Sequence, residues 1–171
     1  MASLMENLIE VLNNESQEYD QLLELSTKKT PVLVAGNLEE LARITDEEQL
    51  VVSRITHLER KRQEVFADIA NVNRDVKTLL LPDLIEILAQ RPEEQQKLAK
   101  VHDRLRTVVY EVKRVNDQNR ILIQNSLEMI DYDLNMLQSM KSAPETANYN
   151  RGAYNTGAQM GLETSAFDAK Q

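Results

Sequence analysis

The side chains whose chemistry would suit catalysis or metal binding are few in this sequence. It has two histidines, His57 and His102, and no cysteines, which excludes thiol catalysis, disulfides and thiolate metal sites. Neither histidine follows a carboxylate three residues earlier, so the Glu-x-x-His pairs of di-iron helical bundles are missing. We interpret both histidines as solvated helix residues.

Catalytic motifs are missing as well. Gly36 stands alone, so there is no phosphate-binding glycine loop, and no serine elbow is present. Most carboxylates are spread along helix faces, and the triplet Asp131-Tyr132-Asp133 is too short to indicate a cation site by itself. We therefore predict a protein that is not an enzyme and that needs no cofactor or metal.

The overall charge limits the partners of the chain. Its 171 residues carry a formal net charge of −8, which argues against nucleic acid and against an anionic membrane surface. The first ten residues do not read as a secretory signal, and no apolar run approaches the roughly 20 residues that span a bilayer. The expected location is the cytoplasm.

Apolar residues recur at helical spacing along most of the chain. The pattern predicts an all-α fold, an antiparallel bundle of three long helices with coiled-coil-like packing. The predicted helices cover about 3–34, 38–75 and 93–141, with a short helix at about 83–90. Pro31 leaves two alternatives, an end of the first helix near Thr30 or a kink with the helix running on to Ala35.

Polar residues interrupt two of the predicted apolar stripes. Glu15 interrupts the stripe of the first helix, and we expect it to sit at the stripe edge. Glu48 and Arg62 occupy seam positions in the heptads of the second helix. They either fix the register of the helices or extend their charged ends to solvent from the edge of the stripe.

The last long helix has two apolar ridges in its second half. Successive side chains are rotated by about 100° around a helix axis. With this rotation, one ridge contains Ile123, Leu127, Ile130, Leu134 and Leu137. The other contains Leu122, Met129, Met136 and Met140, and small or polar residues (Asn119, Ser126 and Asp133) divide the two. We expect the first ridge, like the residues from Leu98 to Val115, to be intramolecular core. The methionine-rich ridge is either a filler of core gaps or a surface for a partner helix.

Residues 142–171 differ in composition from the rest. They hold three of the four glycines and few aliphatic residues, which predicts a flexible tail. The tail contains Tyr149, Tyr154 and Phe167, and isolated aromatic residues of this kind are typical anchors of short recognition motifs. The alternative is that they reflect composition alone.

Three parts of the sequence carry distinct motifs. Leu41 to Leu50 followed by Ile55 to Arg62 contains a leucine, Glu-Gln and Leu-Glu-x-x-Arg run on the predicted second helix. Asn116, Asn119 and Leu122 form an Asn-x-x-Asn-x-x-Leu pattern on the last long helix, and Tyr149-Asn-Arg-Gly152 forms a loose Tyr-x-x-Gly motif. These motifs resemble those of the FlgN family of flagellar type III export chaperones.

The resemblance implies a cytoplasmic chaperone without ATPase activity. Proteins of this family bind FlgK-like and FlgL-like hook-associated clients through the clients' C-terminal helical segments, prevent premature assembly and deliver them to the export apparatus. The expected client-binding residues combine Asn116, Asn119 and Leu122, which match the family's motif, with other residues of the same helix: Ile123, Ser126, Met129, Ile130, Met136 and Met140. Tyr149, Gly152 and Tyr154 are the expected recognition residues of the tail.

Two alternatives remain at this point. Asn116 and Asn119 either hydrogen-bond to a client or act as polar seam residues that set helix register. The whole chain is either an export chaperone or a structural coiled coil that self-associates as a scaffold.

Overall fold

A computed structural model describes residues 2–72 and 80–142 of the chain. These residues are all-α, as predicted, and contain no strand. The helices are α1 (Ala2–Ala35), α2 (Leu38–Val72), α3 (Leu81–Ile87), which continues into a 3-10 turn (Leu88–Gln90), and α4 (Pro92–Ser142). The predicted end of the second helix at about residue 75 and the predicted tail lie outside the described residues.

Pro31 lies inside α1, which continues past it to Ala35. Proline has no main-chain N–H, so one helical hydrogen bond is missing at this point. The helix ends where Gly36 adopts a positive φ of 66°. The N–H groups of Gly36 and Asn37 donate to the carbonyl oxygens of Leu33 and Val32, both at 3.2 Å. This pair of bonds satisfies the last carbonyls of α1 in the manner of a Schellman motif.

Asn37 also begins α2. Its side-chain Oδ1 accepts a hydrogen bond from the main-chain N–H of Glu40 at 3.1 Å, the arrangement of a helix N-cap. Two residues thus end one long helix and begin the next. Later in the chain a proline begins a helix, since Pro92 is the first residue of α4, a position that suits its fixed φ and missing N–H.

The core of residues 1–127, one compact unit of the chain, draws on every helix. Its larger cluster of buried side chains comes from α1, α2, α3, the 3-10 turn and α4: Met5, Leu8, Leu12, Val65, Ile69, Leu84, Leu88, Leu98, Val101, Leu105 and Val108. A smaller cluster contains Leu22, Val51, Ile55 and Val112. The prediction that α4 is core from Leu98 to Val115 is confirmed, since its seam is buried over this stretch.

Polar pairs give the directions of the helices within this unit. Glu15 of α1 contacts Arg62 of α2, and Ser26 of α1 contacts Glu48 of α2. Residue numbers therefore increase along α1 as they decrease along α2, so the two helices are antiparallel. Asp20 of α1 contacts Arg104 of α4, and Ser26 contacts Asn119. Residue numbers increase in the same direction along α1 and α4, so these two helices are parallel.

Candidate functional site

The last turns of α4 expose their apolar residues. Between Met129 and Met140, six aliphatic or thioether side chains are 51% to 69% exposed. We call this set the distal α4 surface: Met129, Ile130, Leu134, Met136, Leu137 and Met140. It belongs to the second compact unit of the chain, of which residues 128–142 are described. Half-exposed apolar side chains grouped on one helix face are typical of a binding surface.

The distal α4 surface overturns the assignment of one ridge. The ridge of branched aliphatic residues was expected to be intramolecular core, and this is wrong. Ile130, Leu134 and Leu137 are 54%, 51% and 56% exposed. The expectation failed because helical spacing reports that a stripe is apolar and not which element covers it. Met129 and Met136, at 69% and 52%, are exposed as well, which excludes their interpretation as buried fillers.

The buried seam of α4 and the methionine ridge share one register. The seam runs through Val108, Val112, Val115 and Asn119 at alternating steps of four and three residues. Continued at the same steps, it passes through the methionine ridge, with Ser126 and Asp133 as polar interruptions. The same helix stripe is therefore buried over its first half and exposed over its last turns.

Three of the expected binding residues line one pocket in the first unit. Asn116, Asn119 and Ile123 face a 300 Å³ pocket that Leu22, Lys29, Glu48, Val52 and Arg120 complete. Asn116 is exposed, and Ile123 is 39% exposed. Leu122 is half-buried, and Ser126 is an exposed residue whose hydroxyl donates to the carbonyl oxygen of Leu122 at 2.9 Å. The pocket gives Asn116 and Ile123 an accessible position.

Asn119 is placed differently, because it is only 3% exposed. Its Nδ2 donates to the main-chain carbonyl oxygen of Ser26 at 2.8 Å. Its Oδ1 accepts a hydrogen bond from the hydroxyl of Thr30 at 2.7 Å. Both partners lie on α1, so the amide is occupied within the chain. This is the geometry of a polar residue that sets helix register.

A second set of polar groups surrounds Ser26. Its hydroxyl donates to Oε1 of Glu48 at 3.2 Å, and the ammonium of Lys29 pairs with the other oxygen of the same carboxylate. Glu48 and Lys29 are only 13% and 15% exposed. Sequence reasoning placed Glu48 in a seam but missed Ser26 and Lys29. The available signal was Ser26 itself, a polar residue four positions after Leu22 in the apolar stripe of α1.

Glu15 is fully buried, so its expected position at a stripe edge is wrong. Arg62 of α2 approaches its carboxylate, with Nη1 at 3.2 Å from Oε2, but neither carboxylate oxygen has a well-aligned hydrogen bond. Burial raises the pKa of the Glu15 carboxyl; Arg62 opposes this shift and Glu59 adds to it. The hydroxyl of Tyr19 lies 3.4 Å from Oε1 of Glu59. Burial and Glu59 raise the pKa of Tyr19 also.

Two general features of the described residues bear on function. Within residues 2–72 and 80–142, no three histidines or carboxylates come together in a way that would hold a metal ion. None of the helices in this part of the chain is both long enough and apolar enough to cross a membrane. Tyr149, Gly152 and Tyr154, the expected recognition residues of the tail, lie outside the described residues.

Comparison with known proteins gives the family. The sequence profile described as "FlgN protein" matches residues 1–156. The chain belongs to the FlgN family. The chain is also similar to the "Uncharacterized protein YvyG" of Bacillus subtilis strain 168, with 27% identity over 143 residues, which is 84% of this chain and 83% of that protein. No solved structure matched the chain.

FlgN proteins are flagellar export chaperones and not enzymes, and they bind substrates of flagellar export. Membership of the FlgN family therefore agrees with a chain that exposes an apolar helix surface. The family match spans α4 together with the distal α4 surface.

Proposed function

We propose that this FlgN-family protein is a cytoplasmic export chaperone for hook-associated proteins of the FlgK-like and FlgL-like kind. It binds their C-terminal helical segments, prevents their premature assembly and delivers them to the flagellar type III export apparatus. The observation that carries the proposal is the distal α4 surface, whose six apolar side chains are 51% to 69% exposed. An amphipathic client helix laid on such a surface is a common recognition mode.

The size of the surface suits reversible binding. Covering the exposed half of a Met, Leu or Ile side chain gains about 1 kcal/mol, so the six give roughly 6 kcal/mol before the cost of association. Ile123 and Leu127, in the first unit, are 39% and 56% exposed and add to the apolar residues available on α4. Reversibility matters for a chaperone that must hand over its client without nucleotide hydrolysis. Release then comes from competition or from transfer at the export apparatus.

Methionine on this surface supports more than one client. Met129, Met136 and Met140 are unbranched and polarizable, so they repack against partners of different shape more easily than Ile or Val. Asn116, Leu122, Ile123 and Ser126, in the first unit, are proposed to contact the client as well. Asn119 supports the site through its bonds to α1, which hold this part of α4 in register.

The remaining parts of the proposal concern architecture and the tail. We take the three long helices as an antiparallel bundle of up-down-up order, in which α2 runs opposite to α1 and α4 runs in the direction of α1. We assign 1–141 to the chaperone domain and 142–171 to a flexible tail. Tyr149, Gly152 and Tyr154 are proposed to contact a component of the export apparatus.

The test uses the full chain and a purified hook-associated protein. Isothermal titration calorimetry of the wild type should show binding, and Met129→Glu with Met136→Glu should weaken it at least about 100-fold, because two carboxylates replace apolar contacts. Tyr110→Glu is the matched control, since Tyr110 is also on α4 and is 66% exposed. Circular dichroism checks that helicity is retained. Unchanged affinity in the double variant rules out the proposed client site.

A second candidate is a self-associating coiled-coil scaffold. It is favoured by the spacing of Ile123, Leu127, Ile130, Leu134 and Leu137, which alternates between four and three residues as in a coiled-coil seam. Analytical ultracentrifugation separates the two functions. A stable higher oligomer together with no measurable binding of hook-associated protein would favour the scaffold.

A further inference from the structure

Asp133 stands inside the distal α4 surface. At about 100° per residue it lies roughly 40° from Met129 and 60° from both Met136 and Ile130 around the helix axis. It therefore separates the methionine ridge from the aliphatic ridge. The residue is exposed, so its carboxylate is hydrated in the free protein. Any helix that covers the two ridges must also cover this carboxylate.

The charge of the surrounding stretch has one sign. From residue 128 to residue 140 the charged side chains are Glu128, Asp131 and Asp133, and there is no lysine, arginine or histidine. Removing an unpaired carboxylate from water carries a desolvation cost, and this cost is comparable with the free energy that the apolar residues of the surface supply. For a purely apolar partner helix, the desolvation of Asp133 would thus cancel most of the free energy gained by covering the apolar residues. A partner with a cation at this point would pair with the carboxylate and avoid that cost.

A second copy of the chain does not meet this requirement. The same surface on another copy carries the same three carboxylates, and like charges would face each other. Lys141 is the nearest basic residue, eight positions after Asp133. An antiparallel pairing that brings Lys141 to Asp133 is centred on Leu137, so within the described part of α4 it pairs only residues 132–142 with one another. Met129 and Ile130 have no described α4 residue opposite them in this pairing.

We propose that the occupant of the distal α4 surface is an amphipathic helix of an export substrate that carries a lysine or arginine within its apolar face, paired with Asp133. This inference rests on the proposed function. It specifies the chemistry by which a client is recognised: apolar residues over about three turns, the length from Met129 to Met140, with one cation at their centre. Asp133 supplies selectivity, since a helix with an apolar or acidic residue at that point is disfavoured.

The test uses three synthetic helical peptides of 18 residues. They share one amphipathic sequence and differ at a single central position of the apolar face, which holds arginine, leucine or glutamate. The full chain is titrated with each by calorimetry at low and high salt. The arginine peptide should bind about tenfold more tightly than the leucine peptide, the glutamate peptide should bind weakest, and salt should reduce the preference for arginine.

The matched variants isolate the carboxylate. Asp133→Asn should remove the preference for arginine, whereas Glu128→Gln should keep it, because Glu128 lies on the opposite side of α4 from the surface. Leucine and arginine peptides that bind equally to the wild type overturn the inference. So does a dimer of the full chain that Asp133→Asn strengthens, because a second copy would then be the occupant.

Failure of this inference differs from failure of the proposed function. If a hook-associated protein binds and Met129→Glu with Met136→Glu removes the binding, but Asp133→Asn changes nothing, the function stands and the role of Asp133 does not. If no hook-associated protein binds while the arginine peptide is still preferred, the surface recognises a basic helix and the proposed function is wrong.

Discussion

Asn119 of α4 donates its side-chain amide to the main-chain carbonyl oxygen of Ser26 of α1 at 2.8 Å, across 93 residues of sequence. The hydroxyl of Thr30 completes the arrangement by donating to Oδ1 of the same amide at 2.7 Å. A slide of one helical turn, about 5.4 Å, would break both bonds. Because Asn119 is the last buried residue of the α4 seam, this contact fixes the register of α4 where its buried half ends.

Removing the amide should destabilise the fold. We expect Asn119→Ala to lower the free energy of unfolding by about 1–3 kcal/mol, because the buried bond to the Ser26 carbonyl oxygen and the partly buried bond from the Thr30 hydroxyl are both lost. Asn116→Ala, at an exposed position three residues earlier, should stay within about 0.5 kcal/mol of the wild type. Chemical denaturation followed by circular dichroism measures both. Equal stability of the two variants would contradict a register role for Asn119.

The ion pair between Glu48 and Lys29 should matter more than the exposed pair between Glu24 and Lys28. Glu48→Ala leaves a largely buried ammonium and the hydroxyl of Ser26 without their acceptor, so we expect a loss of about 1–3 kcal/mol. Glu24 and Lys28 are 66% and 60% exposed, and solvent screens their attraction. Glu24→Ala should therefore leave the thermal midpoint almost unchanged. A similar fall of the midpoint in both variants would contradict this ranking.

The buried carboxyl of Glu15 should make stability depend on pH. Its pKa is raised in the folded protein, with burial as the main cause, so the folded state binds this proton more tightly than the unfolded state. The contribution of Glu15 to stability is therefore greatest below its unfolded pKa and falls as pH rises through the folded pKa. Urea denaturation between pH 4 and pH 8 measures the slope.

Two substitutions separate the effect of the buried Glu15 carboxylate from the effect of the Arg62 cation beside it. Glu15→Gln should flatten the pH slope and raise stability at pH 7 by up to about 1 kcal/mol, because the charge is removed while Arg62, 30% exposed, can reach solvent. Arg62→Gln should act in the opposite direction by removing the cation beside the carboxylate. An unchanged slope in Glu15→Gln would show that other groups dominate the pH dependence.

Oxidation should distinguish the methionines of the chain. Met5 is 6% exposed in the core, whereas Met129 and Met140 are 69% and 66% exposed. In dilute peroxide we expect the two surface residues to form sulfoxide at least about tenfold faster than Met5. Peptide mass spectrometry over a time course gives the rates. Bound hook-associated protein should slow oxidation at Met129 and Met140 but not at Met5, and equal rates in the free protein would contradict the exposure of the distal α4 surface.

Much of the local structure follows from the sequence alone. Apolar residues at three- and four-residue steps predicted the long helices and the buried seam from Leu98 to Val115, because a helix must bury a continuous stripe. The break predicted between residues 34 and 38 lies at Gly36 and Asn37, since one tolerates a positive φ and the other caps a helix. These signals are local, so neighbouring residues suffice to interpret them.

The positions of polar residues within the stripes were decided by tertiary structure. The sequence presents Glu15 and Asn119 alike, as polar interruptions of apolar patterns. Glu15 is buried because Arg62 of α2 lies beside it, and Asn119 is buried because Ser26 and Thr30 of α1 satisfy its amide. Both partners are far away in the sequence, so spacing along one helix carries no information about them.

The tertiary structure also decided which part of α4 is core and which part is surface. The sequence determined that α4 carries an apolar stripe along most of its length and that two apolar ridges occur in its second half. Periodicity measures only the pattern of side chains on one helix, and burial depends on whether another element covers that pattern. Within the first unit, the seam of α4 is buried as far as Asn119, where Ser26 and Thr30 of α1 bond to it. In the second unit, the apolar residues from Met129 to Met140 are exposed.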